Sequence, residues 1–270
     1  MREIEIQKSV YDRIYQNAEG YNKFDSRKNL YVDVYARSID GPVLDAGCGE
    51  GIHLKRLIAA QVDAFGIDLS EVCCQKFLAG IPHRNEDIIA HAQGDARYSG
   101  AICMDVLEHI PPDLLEATLE ALATLSPSVL LGIANHSDFQ EGVELHPIQE
   151  DSSWWLDRLG AHFSRCELIQ EFQYPGGEPR FFLIECDRED PGATTEKTRG
   201  LRFRRALYDL VSQLEQFQQG RQELVKKVER LDAKVERLDA KLDRIYSFPP
   251  VRFLRFVKRR LSRGGSAGAR

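Results

Sequence analysis

From about residue 40 to residue 186, short apolar runs alternate with stretches whose apolar positions recur every three to four residues. That alternation predicts an α/β domain, a parallel sheet with helices on both faces. Strands are expected at Val43–Ala46, Ala64–Ile67, Ala90–Gln93, Ala101–Met104, Val129–Ile133, Glu167–Phe172 and Phe181–Cys186. Helices fit His53–Ala60, Glu71–Ala79, Asp113–Thr124 and Ser152–Leu159, and Gln7–Ile39 supplies helices that precede and cover the sheet. At DREDPGATTEKT, Asp187–Thr198, the composition turns polar with Pro and Gly, as a linker does.

Beyond it the period changes to heptads. Leu207, Leu210, Leu214, Phe217, Arg221, Leu224, Val228, Leu231, Val235, Leu238, Leu242 and Ile245 follow one another at strict 3-4 spacing, and KVERLDA occurs twice in tandem from Lys227. A helix packed on its own domain drifts toward a 3.6-residue period, whereas a sustained seven-residue repeat specifies a coiled coil, here about 58 Å long. With Val228 and Val235 at position a, Leu231 and Leu238 fall at d, Lys227 and Lys234 at g, Asp232 and Asp239 at e. Parallel chains then pair each g lysine with an e aspartate, which points to a homo-oligomer, a trimer or a dimer. The expected divisions are a sheet domain over 1–187, a linker over 188–200, a coiled coil over 201–246 and a basic amphipathic tail over 247–270.

Charge sharpens the last of these. The net charge is −6, yet Tyr246–Arg270 holds seven basic residues and no acidic one, so a basic tail follows an acidic body. In Phe248–Arg263 aromatic and aliphatic residues interleave with Lys and Arg, a pattern suited to an anionic membrane surface. No run of about 18 uncharged apolar residues is present, and the first residues lack the apolar core of a signal peptide. Cys48, Cys73, Cys74, Cys103, Cys166 and Cys186 form no C-x-x-C pair, and as reduced, apolar cysteines they point to the cytoplasm.

The segment VLDAGCGEGIHL, Val43–Leu54, carries Gly47-x-Gly49-x-Gly51 at a strand-to-helix turn, where backbone N–H groups can approach a ligand closely. Its spacing differs from the dinucleotide-binding G-x-G-x-x-G. Next, FGIDLS places Asp68 at the end of the second strand, where a carboxylate can accept both hydroxyls of a ribose. Asp95 in QGDARY closes the expected third strand, and MDVLEHIPP, Met104–Pro112, ends the fourth.

DAGCGEG, GIDLS, GDA and DVLEHIP in this order resemble the class I S-adenosylmethionine-dependent methyltransferases, over about Tyr11–Cys186. The resemblance implies a Rossmann-like seven-stranded, mostly parallel sheet and S-adenosyl-L-methionine as cofactor, with S-adenosyl-L-homocysteine as product. Asp45, Gly47, Gly49 and Gly51 would line its methionine part, Asp68 its ribose, Asp95 with Ala96 its adenine, and the backbone from Met104 its sulfonium. Transfer to a hydroxyl additionally requires a base, a contribution of about 100- to 10,000-fold. His109, His136 and His146 are the candidates, with His146 preferred, because His146–Leu156 resembles the H-x(n)-WW-x-x-L element of bacterial sugar and polysaccharide methyltransferases. Asp105, Glu108 and His109 resemble the metal-binding letters of some quinone O-methyltransferases, although the same letters recur in metal-free relatives, and no metal is expected. Trp154 and Trp155 are expected in the core, with one of them as an alternative stacking face for a sugar. The N-P-P-Y tetrad of amine and nucleic-acid base methyltransferases is absent, and the acidic body excludes a nucleic-acid partner.

A methyltransferase on a coiled-coil rod with a basic end resembles the bacterial O-antigen chain-terminating methyltransferases. That resemblance implies a glycan, glycolipid or polysaccharide-end acceptor at the cytoplasmic membrane face and a glycosyltransferase or polymerase as partner. The alternatives are a small-molecule O-methyltransferase of quinone or natural-product type, and a scaffold with a vestigial domain.

Overall fold

The structure, a computed structural model, describes residues 2–17, 26–140, 142–173, 179–188 and 195–247. It comprises two compact units, one through Ser212 and one from Gln213. The first opens with α1 (Arg2–Asn17) and α2 (Ser26–Arg37), followed by β1 (Val43–Ala46), α3 (Ile52–Ala59), β2 (Ala64–Asp68), α4 (Glu71–Phe77), β3 (His83–Asn85), α5 (Ile88–Ala92) and β4 (Gly100–Met104). A 3-10 turn, Leu107–His109, leads into α6 (Pro112–Leu125) and β5 (Ser128–Ala134). A small hairpin, β6 (Phe139–Gln140) and β7 (Val143–Glu144), precedes α7 (Ser152–Leu159), β8 (Arg165–Gln173), β9 (Pro179–Asp187) and α8 (Thr195–Ser247).

The sheet has the order β3-β2-β1-β4-β5-β9-β8, which matches the mostly parallel, seven-stranded Rossmann-like expectation. Strands β3, β2, β1, β4 and β5 run parallel, and β9 enters antiparallel between β5 and β8. Every residue of β1, β4 and β5 is buried, because helices cover both faces. One face packs on α6 and α7 through Leu115, Leu119, Leu122 and Trp155, the other on α2, α3 and the start of α8 through Tyr31, Tyr35, Leu57 and Tyr208. Each fully buried side chain of this size contributes about 1.5–3 kcal/mol. The chain reverses direction across the sheet between β1 and β4, which opens a crevice at the carboxyl ends of those strands.

Three expectations are corrected. Ala90–Gln93 is not the third strand: Ala90–Ala92 lie in α5, whose first turn is capped by the Asp87 carboxylate accepting from the Ala90 amide at 2.9 Å. The true third strand, His83–Asn85, is a three-residue edge strand of polar letters with no apolar alternation to betray it. The linker expected over 188–200 already contains the start of α8 at Thr195, while residues 189–194 lie outside the described residues.

The third correction concerns where the expected coiled coil could begin. Arg204, Tyr208 and Val211, spaced i, i+4, i+7, are buried in the first unit. Arg204 stands 3.1 Å from Glu185 on β9 and lies over the Tyr35 ring, and Tyr208 packs against Tyr31. The face used here is therefore not the heptad face, whose Leu210 is exposed. In the second unit the heptad residues Leu214, Phe217, Leu224, Val228, Leu231, Val235 and Leu238 are all exposed. The basic tail over 247–270 lies outside the described residues except Ser247. Among the described residues no helix is long and apolar enough to cross a membrane.

Candidate active site

The glycine loop forms as the sequence requires. Gly47, Gly49 and Gly51 all have positive φ. At Gly47 a Cβ would stand 2.4 Å from Val106 Cγ2, and at Gly51 it would stand 2.6 Å from Leu78 Cδ2, so a side chain there is both strained and blocked. The Gly47 and Cys48 amides donate to the Ile67 carbonyl at 2.8 and 2.9 Å, which fixes the loop to the end of β2.

Asp68 closes this corner. One carboxylate oxygen accepts from the Gly49 amide at 2.8 Å and the other from Ser70 at 2.9 Å. Burial pushes its carboxyl up, while those two amides pull it back down. Asp45, two residues before Gly47, is buried with Oδ2 lacking a hydrogen-bond partner. Burial raises its carboxyl to about 7, against the pull of the Leu54 amide. Met104 ends β4 on the other side of the crevice, its methyl packed against Gly132.

Asp95 and Ala96 are placed elsewhere. They follow α5 and precede β4, at the amino-terminal edge of the sheet, opposite the glycine loop. Asp95 is exposed, and the neighbouring Tyr98 amide donates to the Leu125 carbonyl at the far end of α6. The acidic residues that do follow β3 at the carboxyl edge are Glu86 and Asp87. The Glu86 amide donates to the Asp68 carbonyl at 3.0 Å, and the Glu86 carboxylate holds His91 Nδ1 at 2.9 Å. The N-cap pattern at Asp87 was their only sequence signal, and the GDA letters masked it.

All three candidate histidines converge. The rings of His109 and His146 meet edge to face with centroids 4.4 Å apart, and those of His136 and His146 lie 5.0 Å apart. His109 comes from the turn after β4, His136 from the loop after β5, and His146 from the segment after β7. Glu144 ties that segment together by accepting from the Asp138 and His146 amides at 2.8 and 3.0 Å. His109 Nδ1 lies 2.9 Å from the Leu145 carbonyl, and His146 Nδ1 lies on the His136 carbonyl. A carbonyl only accepts, so both Nδ1 atoms carry the proton and both Nε2 atoms present a lone pair. Burial lowers His109 to about 4 and lowers His146 as well, so both rings are neutral at pH 7.

Behind them stands Glu108, fully buried. Its Oε1 accepts from the Ala134 amide at 2.7 Å, and its Oε2 has no hydrogen-bond partner. Burial, then the charge of Asp105, raises this carboxyl to about 8. Asp105 points to a different partner: both of its oxygens lie 2.8 Å from Lys28 Nζ, which rests over the Phe181 ring.

A cavity of about 240 Å³ opens on His109. Ile6, Val10 and Tyr11 of α1 form one wall, and Val143, Leu145 and Pro147 form the other. The helix α1 is anchored on both sides of the crevice, since Gln7 donates to the His109 carbonyl and Asp12 accepts from the Ser70 hydroxyl at 2.6 Å. Trp155 is fully buried in the core, and Trp154 packs edge-on against it beneath Arg158, so neither ring is laid out as a sugar platform.

Residues 16–174, more than half of the chain, match the family model described as "Methyltransferase domain". The ubiquinone biosynthesis O-methyltransferase of Paraburkholderia phymatum is 32% identical over 103 residues, which is 35% of this chain and 44% of the relative. That of Methylococcus capsulatus is 33% identical over 118 residues, 40% of this chain and 49% of the relative. The chain thus spans about half the length of the curated relatives it matches. The 1,6-didemethyltoxoflavin-N1-methyltransferase of Burkholderia thailandensis, solved with 1,6-didemethyltoxoflavin and S-adenosylhomocysteine, superposes with a TM-score of 0.54 at 16% identity, over 69% of this chain and 88% of that one. This likeness is one of fold.

Proposed function

The chain belongs to the methyltransferase-domain family, and we propose that it transfers a methyl group from S-adenosylmethionine to a hydroxyl of a small acceptor seated beneath α1. The observation that carries the acceptor assignment is the cavity of about 240 Å³ that ends on His109, with His146 and Glu108 behind it. The relatives named as O-methyltransferases support a hydroxyl acceptor of small size over a glycan end. The glycan reading drew on the His146–Leu156 element and on a rod with a basic end, and within that element Trp155 lies in the core, as expected, with Trp154 packed against it.

The residues present fit the cofactor. The buried, unpartnered Oδ2 of Asp45 suits its ammonium group, the Gly47–Gly51 loop has room only for backbone, and Asp68 retains acceptor capacity for a ribose. When bound, this cofactor supplies an activated methyl whose transfer breaks the C–S bond and leaves the electron pair on sulfur. The protein's task is orientation, a contribution of about 7–11 kcal/mol, together with removal of one proton. A neutral His146 or His109, each with a free Nε2 lone pair, accepts that proton from the attacking hydroxyl.

Residues 213–247 supply a separate function in this reading: self-association through the exposed heptad face, as a parallel assembly set by the Lys–Asp pairs at g and e.

The test is radiolabelled methyl transfer to two panels, small hydroxylated aromatics and lipid-linked glycans. Labelling of a small hydroxylated acceptor is expected. Labelling confined to glycans would overturn the acceptor assignment, and no binding of S-adenosylhomocysteine by calorimetry would overturn the cofactor.

A further inference from the structure

Cys166 on β8 and Cys186 on β9 stand directly opposite each other in the antiparallel register. We propose that these two cysteines form a redox site, closed by hydrogen peroxide into a cross-strand disulfide that staples β8 to β9.

Three observations carry this. First, opposed residues of an antiparallel pair share a face, with Cα atoms about 4.5–5.5 Å apart, inside the span of about 4.4–6.8 Å that a disulfide bridges. Both thiols lie on the face covered by α6 and α7, Cys186 within the core and Cys166 packed against it. Second, the two differ in access. Cys186 is fully buried, whereas Cys166 is half-buried on the edge strand β8, the one cysteine among the described residues that is not buried. A peroxide reaches the outer sulfur, and the inner one reaches the product without access of its own. Third, the Cys186 thiol is hydrogen-bonded to Cys166 and holds it below the usual cysteine range, while burial pushes Cys186 up. Burial likewise raises Cys48, Cys73, Cys74 and Cys103. The thiolate is the nucleophile, so Cys166 reacts first.

The chemistry balances in two steps. The Cys166 thiolate attacks one peroxide oxygen: an S–O bond forms, the O–O bond breaks, and hydroxide leaves a sulfenic acid behind. The Cys186 sulfur then displaces that hydroxyl, forming the S–S bond, and its proton leaves with the hydroxyl as water. The hydroxide of the first step takes up the proton that Cys166 gave up on ionising. Two thiols and one peroxide thus give one disulfide and two waters.

The site lies away from the crevice, since Cys186 pairs with Val129 near the start of β5, at the opposite edge of the sheet from the glycine loop. Its neighbours carry the ion pairs beneath α8: Arg165 meets Asp187, and Arg204 stands 3.1 Å from Glu185. The disulfide therefore fixes the strand pair on which the start of α8 rests. It stands without the methyl-transfer reading.

The experiment treats the reduced full chain with hydrogen peroxide, alkylates the remaining thiols in denaturant and maps the unreduced peptides by mass. The six titratable thiols should fall to four, with Cys166 and Cys186 in one linked peptide pair, and dithiothreitol should restore all six. Oxidation should also raise the melting temperature by at least about 4 °C. Cys166→Ser should show no linkage, and Cys186→Ala should leave Cys166 as a sulfenic acid that a dimedone probe captures. If Cys186→Ala fails to fold, the peptide map of the unmodified chain decides. Six thiols still titrating, a linkage between other cysteines, or Cys166 overoxidised with Cys186 still free would each overturn the proposal. A linkage formed at an unchanged melting temperature would overturn the staple.

Discussion

The imidazoles of His109 and His146 face each other edge to plane with centroids 4.4 Å apart, 37 positions apart in the chain. Each ring is oriented by a backbone carbonyl, and His109 lines the cavity beside α1. Replacing His146 by Ala should therefore lower kcat by about 100-fold or more, the scale of a lost base, and leave the affinity for S-adenosylhomocysteine within about twofold. Steady-state kinetics beside calorimetry separate the two effects. An unchanged kcat would remove His146 from the chemistry.

Asp68→Ala should abolish cofactor binding at practical concentrations. The carboxylate holds the Gly49 and Ser70 amides and is the proposed ribose partner, and two charged hydrogen bonds at about 1.5–3 kcal/mol each correspond to roughly 100- to 10,000-fold in affinity. Calorimetry with S-adenosylhomocysteine checks this, and wild-type affinity would refute the site.

The pH dependence of stability should report Asp45. Its folded carboxyl ionises at about 7, pushed up by burial, against about 3.9 in an unfolded chain. The folded state therefore binds the proton more tightly, and the stability this group contributes is complete below about pH 4 and lost as the pH rises through 7. Asp45→Asn cannot ionise. Without cofactor it should melt with the wild type near pH 4 and above it at pH 8, by about 2–4 °C for each kcal/mol retained. Parallel melting curves across that range would contradict the assignment.

The start of α8 belongs to the sheet domain. Cutting after Ser212 should leave a folded, cofactor-binding unit, whereas cutting after Glu196 removes Arg204, Tyr208 and Val211 from its core. Arg204→Ala alone should cost about 2–3 kcal/mol: less than the 3–5 of a fully orphaned buried pair, because Arg165 remains 3.3 Å from Glu185. Urea titration of the three proteins gives the order. Equal stability of the two truncations would show that the helix start does not contribute to the domain.

For the exposed heptad face, light scattering after size exclusion should give the full chain a mass two or three times that of one chain. Leu231→Glu with Leu238→Glu should reduce it to one, because charge at two d positions is not tolerated in the seam. A full-length monomer would refute self-association.

Much of the fold was legible because its signals are local. The Gly47-x-Gly49-x-Gly51 turn follows from backbone sterics, the strands at Val43–Ala46 and Val129–Ile133 from continuous apolar runs, and α7 from apolar positions at helical spacing. Asp68 was legible for the same reason, since it sits a fixed distance from a recognisable turn. The third strand was not, because an edge strand of three polar residues buries too little to impose a pattern, and GDA mimicked a strand end on the wrong edge of the sheet.

The sequence by itself determined the α/β class, the glycine loop, the carboxylate at Asp68 and the heptad register, all properties of neighbours along the chain. Only the tertiary structure decided that His109, His136 and His146 meet, that Glu108 lies buried behind them while Asp105 turns to Lys28, and that Arg204 ties the helix to Glu185. Those contacts join positions up to 77 residues apart through the packing of strand ends and helix faces, and no periodicity along the chain encodes where distant segments cross.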